Sequence, residues 1–166
     1  MVQRSSIRIT AIIILSAIIF TVIAISFSFT SQTGWQSNME SYKISEYIEG
    51  IVAKHFEINH EDTFWKETLN LLVRKAAHFL EYMLLGFSVC ALLIVIFQKR
   101  LLAALITVVV CQVLSLIDEY RQNFILGRNA RLFDVQVDMS GAGLGIILVS
   151  IIFTVVWKNN RLKVEK

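Results

Sequence analysis

Long apolar blocks dominate this sequence, and their length constrains the fold more than any other feature. A helix needs about 20 apolar residues to cross the hydrocarbon core of a bilayer, which separates a membrane span from a short buried helix. We place four such blocks at residues 7–29, 76–97, 101–117 and 135–157. Hydrophobic residues make up 55% of the 166 residues and charged residues only 17%, below the roughly 25% of ordinary globular domains. We therefore predict an all-α, integral membrane four-helix bundle that forms one domain over residues 1–166.

The segment between the first two blocks, residues 30–74, is polar and rich in acidic residues. Apolar residues within it recur at helical spacing, namely Ile44, Tyr47, Ile48, Ile51, Val52 and Phe56. This spacing is typical of an amphipathic helix. Two arrangements fit it: a helix that lies on the bilayer surface, and a short soluble helix that packs on the bundle.

The basic residues predict the orientation in the membrane. Arg4 and Arg8 precede the first block, Lys99 and Arg100 form the turn between the second and third, and more cations follow the fourth. In a four-span bundle all three groups lie on one side, which the positive-inside rule makes cytoplasmic. We predict a multi-pass plasma-membrane protein with cytoplasmic N- and C-termini and an extracytoplasmic loop 30–74. This composition gives no support for nucleic-acid binding.

The same topology gathers the polar residues that border the blocks. The second and fourth spans begin outside and the third ends there, so their ends meet at one outer face. Lys75, His78 and Tyr82 share one side of a helix, and ionisable groups near a bilayer usually face a bundle interior with partners. We predict a ligand-binding cluster at this face, made of Lys75, His78, Glu81, Tyr82, Asp118, Glu119, Gln122, Arg128, Arg131, Asp134 and Asp138.

Some of these residues also have structural interpretations. Arg74 fits an interfacial anchor, and Arg128 and Arg131 fit pairs with Asp134 and Asp138 that only stabilise the helix hairpin. Gly141 and Gly145 form a small-xxx-small pair that predicts a helix-packing surface. The two cysteines lie inside apolar blocks, which predicts buried thiols better than a disulfide.

Three polar stretches carry a resemblance to a known family. The first contains Ser31–Gly34 with Ser37 and Ser41. The second is Arg74-Lys75-Ala-Ala-His78-Phe79-Leu-Glu81-Tyr82. The third contains Asp118-Glu119-Tyr-Arg-Gln122, Gly127-Arg128, Asp134 and the glycines after Ser140. Through these stretches the whole chain resembles the VanZ-like family, although Leu126 stands where the family often has Pro and Asp138 where it often has Asn.

The resemblance implies a bacterial cell-envelope protein. The founding member of the family is associated with low-level resistance to teicoplanin, a lipid-tailed glycopeptide that targets cell-wall precursors at the outer leaflet. The implied partners are the lipid bilayer and a lipid-linked cell-wall precursor or a lipoglycopeptide. The first hypothesis is therefore a protein that binds or remodels such a component, with Lys75, Arg128 and Arg131 engaging a phosphate or carboxylate.

Two other hypotheses remain open. The chain fits an intramembrane enzyme in which His78 is a general base oriented by Glu81 or Asp118, so the catalytic candidates are His78, Glu81, Asp118 and Glu119. In a metal-assisted version, acidic side chains hold a divalent ion, the candidates being Asp118, Asp134 and Asp138, with Glu119 beside them. The sequence contains no established hydrolase signature, and we predict no cofactor. The last hypothesis is a structural or accessory membrane protein.

Overall fold

The computed structural model describes residues 2–52, 54, 63–128 and 131–164, and the side chains within residues 6–52, 54, 65–128 and 131–155. This part contains no strand and five helices: α1 (Val2–Thr30), α2 (Gly34–Val52), α3 (Thr63–Phe97), α4 (Arg100–Gln122) and α5 (Leu132–Val164). All but α2 are long and apolar enough to cross a membrane, over Ser6–Thr30, Trp65–Phe97, Arg100–Gln122 and Leu132–Val155. The predicted all-α, four-span architecture is confirmed.

The helices around the candidate site extend beyond the predicted apolar blocks. The second block was placed from residue 76, but α3 begins at Thr63, and Leu69, Leu71 and Leu72 continue its apolar surface ahead of Arg74 and Lys75. Similarly, α4 continues past residue 117 to Gln122. The polar residues near residues 74–82 and 118–122 therefore lie inside regular helices, so their side-chain directions are set by helical geometry.

Helix α3 lies at the centre of the bundle, where it contacts the other four helices and packs most extensively on α5. Glycines bring these two backbones together: a Cβ atom on Gly141 would overlap the carbonyl oxygen of Phe79, and one on Gly145 would overlap that of Met83. The predicted packing role of both glycines is confirmed. The apolar core beside this contact includes Cys90 and Cys111, which are both buried and free, as predicted.

Helix α2 packs on α3 through small and polar side chains rather than through its apolar ones. Its buried residues are Gly34, Ser41, Ser45 and Glu49. Ile44, Tyr47 and Ile51 are exposed. Helix α2 thus packs on the bundle and leaves exposed apolar side chains that suit contact with lipid. Phe56, part of the predicted pattern, lies outside the described residues.

The cations at one end of the bundle contact neighbouring helices. At one end, Arg8 donates a hydrogen bond to the Ile96 carbonyl over 2.8 Å, and Arg100 donates one to Thr154 Oγ1 over 2.8 Å. We call the opposite end, where α1 and α4 end and α5 begins, the polar end. The predicted cluster lies at or just below it.

Candidate functional site

A cavity of about 180 Å³ opens between α3, α4 and α5 at the polar end. We call it the donor pocket, because most of the polar groups that line it carry N–H donors. Its lining consists of Leu71, Arg74, Lys75, His78, Gln122, Gly127, Arg128, Arg131 and Asp134. The structure thus brings together six of the predicted residues: Lys75, His78, Gln122, Arg128, Arg131 and Asp134.

Two buried nitrogen atoms of the donor pocket have no hydrogen-bond partner within the part of the chain that the structure describes. They are Gln122 Nε2 and Arg128 Nε. The Gln122 residue is only 5% exposed. A buried N–H group without a partner costs roughly 1–3 kcal/mol, so native proteins rarely leave one unless a ligand or water uses it.

Arg128 is held at the pocket by a loop that is bound to the start of α2. The Gly34 amide donates a hydrogen bond to the Leu126 carbonyl over 3.1 Å, and Gly127 adopts a left-handed φ of 77°. The Arg128 guanidinium then donates a hydrogen bond to the Phe29 carbonyl over 3.0 Å. Burial lowers the pKa of Arg128 from its ordinary value, and repulsion from Arg74 lowers it further. The cations are therefore held close together at a free-energy cost.

The two aspartates of α5 form separate contacts with α3. Asp134 forms an ion pair with Lys75, whose ammonium group also lies 5.3 Å from the centre of the Phe133 ring. Asp138 is 1% exposed, and its Oδ1 lies 3.4 Å from His78 Nδ1. The aspartates therefore contact residues of α3 rather than pairing with Arg128 and Arg131, in contrast to the hairpin interpretation.

A hydrogen bond from α4 fixes the carboxylate of Asp138. Ser115 Oγ donates to Asp138 Oδ2 over 2.7 Å, and Ser115 is fully buried. Three helices thus contribute to one chain of contacts, from Ser115 through Asp138 to His78. The structure places Asp138 against His78 Nδ1, where the sequence suggested Glu81 or Asp118 as the orienting group.

A second polar cluster surrounds Asp118, away from the donor pocket. Its Oδ2 accepts hydrogen bonds from Tyr82 over 2.8 Å and from Ser26 over 3.0 Å, and Arg121 lies 3.8 Å from its Oδ1. Asp118, Tyr82 and Glu81 line a mostly apolar cavity of about 110 Å³ beside α1. These predicted residues do not line the donor pocket, and their contacts join α1, α3 and α4.

Glu119 also lies outside the lining of the donor pocket. It is 5% exposed, and its Oε2 accepts a hydrogen bond from the Arg131 amide over 2.8 Å. Glu119 therefore positions the segment that leads into α5. Among the described residues, no three His, Cys, Asp or Glu side chains gather to hold a metal ion. The metal candidates Asp118, Asp134 and Asp138 instead have different partners.

The sequence-based cluster omitted one cation of the pocket. Arg74 was interpreted as an interfacial anchor, yet it lines the donor pocket and donates a hydrogen bond to Asn38 Oδ1 over 3.0 Å. Its spacing of four residues from His78 places both on one side of α3, and that spacing could have identified it. No sequence pattern indicated that Ser115 would contact Asp138, because a serine within an apolar span usually donates a hydrogen bond to its own helix.

Comparison with known proteins identifies the family to which the chain belongs. The family model described as VanZ/LLP1 matches residues 12–153, which include most of the four apolar helices and every residue of the donor pocket. No curated protein and no solved structure matches the chain. The family match and the four apolar helices together identify a multi-pass membrane protein of the cell envelope. The chain belongs to the VanZ/LLP1 family.

Proposed function

We propose that the donor pocket binds the phosphate or carboxylate group of a lipid-linked envelope component at the outer leaflet. The observation that carries the proposal is a cavity in which buried N–H groups of Gln122 and Arg128 lack partners. An anionic oxygen supplies the missing acceptors, and hydrogen bonds to charged groups are worth about 1.5–3 kcal/mol.

The charge of the pocket supports an anionic ligand. Four cations line it, Arg74, Lys75, Arg128 and Arg131, against the single carboxylate of Asp134. A bound anion offsets the mutual repulsion of Arg74 and Arg128. Guanidinium groups also match the planar geometry of phosphate and carboxylate oxygens, which favours arginine for such ligands.

The surroundings of the pocket support a lipid rather than a free ion. Arg74, His78 and Arg128 also line a second cavity, of about 200 Å³, between α1, α2 and α3. We call it the side groove, and its apolar lining includes Phe29, Ile44, Val73 and Ala77. An amphiphile fits this pair of cavities, with its charged group in the donor pocket and the first part of its chain in the side groove.

A direct binding measurement tests the proposal. The full chain is reconstituted in nanodiscs of neutral phosphatidylcholine, and the affinity for farnesyl diphosphate, a soluble lipid diphosphate, is measured. Replacing Gln122 by Met removes the unpartnered donor at nearly constant volume. We expect the dissociation constant to rise about fivefold, or roughly 1 kcal/mol, while the free energy of unfolding stays equal or increases.

Gln112 provides the matched control, because it lies on the same helix, is half-buried and does not line the donor pocket. Gln112→Met should leave the affinity unchanged. If the wild-type chain does not bind the probe, or if both variants bind as the wild type does, the pocket is not an anion site.

The link to glycopeptide resistance requires a test in cells. A teicoplanin-sensitive Gram-positive host would express the wild type, Gln122→Met, Arg131→Ala or Gln112→Met, with membrane levels checked by immunoblot. We expect protection by the wild type and Gln112→Met, and weaker protection by the two pocket variants. Equal protection by all four would support the structural interpretation of the cluster. If the wild type gives no protection, the chain belongs to the family but does not confer resistance.

A further inference from the structure

We propose that the donor pocket also hydrolyses its ligand, with His78 as the general base that activates water against the terminal phosphate of a lipid-linked diphosphate. This inference rests on the proposed anion site. It deepens that proposal because it specifies the ligand as a phosphoanhydride and assigns it a reaction.

The contacts of His78 set its chemistry. A neutral imidazole has one N–H donor and one acceptor nitrogen. Asp138 Oδ1 lies 3.4 Å from Nδ1 without forming a hydrogen bond there, and the negative charge of the carboxylate favours the tautomer with the proton on Nδ1 and the lone pair on Nε2, on the opposite side of the ring. His78 is a lining residue of the donor pocket, whereas Asp138 lies behind it and is 1% exposed. The pocket thus combines a base with cationic donors.

Ser115 and Asp138 act as positioning residues. Ser115 is fully buried and its hydroxyl donates to Asp138 Oδ2 over 2.7 Å, so it does not line the donor pocket and does not face a ligand there. This bond holds the carboxylate in place beside the imidazole, where its charge favours one orientation of the ring. A base needs such fixed orientation to reach the water proton, since proton transfer requires hydrogen-bond distance.

The charge of the pocket favours a diphosphate over a carboxylate as the ligand. A carboxylate brings one negative charge, whereas a phosphomonoester group carries about −1.5 to −2 at neutral pH. The four lining cations exceed the single Asp134 carboxylate by three charges (four minus one), which a diphosphate neutralises more fully. The bridging oxygen of the anhydride is also a good leaving group once arginine stabilises its charge.

The reaction balances with water as the only co-reactant. His78 Nε2 accepts a proton from water while the water oxygen bonds to the terminal phosphorus. The bond from that phosphorus to the bridging oxygen breaks, and the bridging oxygen leaves with the electron pair on the lipid monophosphate. Inorganic phosphate is the second product, and the proton on Nε2 then passes to a product phosphate or to solvent.

Phosphate release from farnesyl diphosphate tests the inference, with binding of its methylene-bridged, non-hydrolysable analogue measured on the same nanodisc samples. We expect the wild type to bind the analogue and to release phosphate. His78→Ala should lower kcat by at least about 100-fold and change the affinity for the analogue far less, and added imidazole should restore part of the rate. A histidine that only supports the fold would not permit such rescue.

The positioning residues provide a second readout. Ser115→Ala should lower kcat without changing KM, because it affects the orientation of the base and not the contacts to the ligand. Ser88→Ala is the matched control, since Ser88 is 1% exposed and donates a hydrogen bond to the Leu84 carbonyl of its own helix. Ser88→Ala should keep the wild-type kcat.

The outcomes separate this inference from the proposed function. Binding of the analogue without phosphate release overturns the hydrolysis and leaves the anion site intact. Phosphate release by His78→Ala at the wild-type rate also overturns it. If the analogue does not bind, the anion site is wrong and the hydrolysis falls with it.

Discussion

Gly34, the first residue of α2, lies directly against Gly127 of the loop between α4 and α5. The Gly34 amide donates a hydrogen bond to the neighbouring Leu126 carbonyl, and a Cβ atom on Gly34 would overlap the carbonyl oxygen of Gly127. This contact joins the segment that follows the first span to the loop that carries Arg128. The position of one pocket cation therefore depends on a glycine far away in the sequence.

Replacing Gly34 by Ala should displace the loop and weaken ligand binding. The added methyl group must push the Gly127 backbone away, which costs about 1–3 kcal/mol in thermal unfolding and moves Arg128 out of the donor pocket. Gly50→Ala in the same helix is the control, because nothing lies within 4 Å of its Cβ position. We expect it to stabilise the protein by up to about 1 kcal/mol. Equal effects of both variants on binding would contradict the role of the contact.

The packing of α3 on α5 gives a second pair of matched variants. Gly141→Ala places a methyl group against the Phe79 carbonyl, and it should lower the melting temperature in detergent because the two helices must separate. Gly143→Ala should have little effect, since nothing lies within 4 Å of that position. Separation of α3 from α5 also breaks the contact between His78 and Asp138, so Gly141→Ala should lose activity along with stability.

The ion pair between Lys75 and Asp134 should limit the affinity of the pocket for anions. Asp134→Asn removes the only carboxylate among the lining residues and releases Lys75 for the ligand. We expect tighter binding of farnesyl diphosphate, by roughly 1 kcal/mol or about fivefold. Lys75→Gln should weaken binding, and the double variant should lie between the two. Weaker binding by Asp134→Asn would show that the carboxylate positions the site rather than opposes the ligand.

The side groove should recognise the lipid chain and not the charged group. Ala77→Leu fills the groove, whereas Ala76→Leu adds the same volume at an exposed neighbouring position that does not line it. We expect Ala77→Leu to weaken binding of farnesyl diphosphate and to leave binding of inorganic diphosphate unchanged. A comparison of the two probes by isothermal titration calorimetry measures the difference. Weaker binding of both probes would instead indicate that the substitution displaces the donor pocket.

The orientation of the bundle is directly testable by cysteine labelling. The two native cysteines are buried, so they should react poorly with a membrane-impermeant maleimide. Cysteine introduced at Glu46, an exposed position of α2, should label in intact cells, whereas cysteine at the exposed Lys99 should label only after lysis. The reverse pattern would place the donor pocket on the cytoplasmic side and exclude a ligand of the outer leaflet.

The sequence alone was enough to predict the four spans and the gathering of polar residues at one end of the bundle. Apolar block length reflects the thickness of the bilayer, and short connections force successive spans to alternate in direction. The convergence of Lys75, Gln122 and Asp134 follows from that alternation. It does not require knowledge of any side-chain contact, which explains why six of the predicted residues line one cavity.

The pairing of these residues was decided only by the tertiary structure. Helical spacing defines which residues share one side of a helix, but it leaves free how far each helix rotates about its own axis. In this bundle the close approach of α5 at Gly141 and Gly145 sets that rotation. It brings Asp138 rather than Asp118 to His78, and it leaves Arg74 facing the donor pocket. The sequence determined which polar groups lie at the polar end, while helix packing determined their partners.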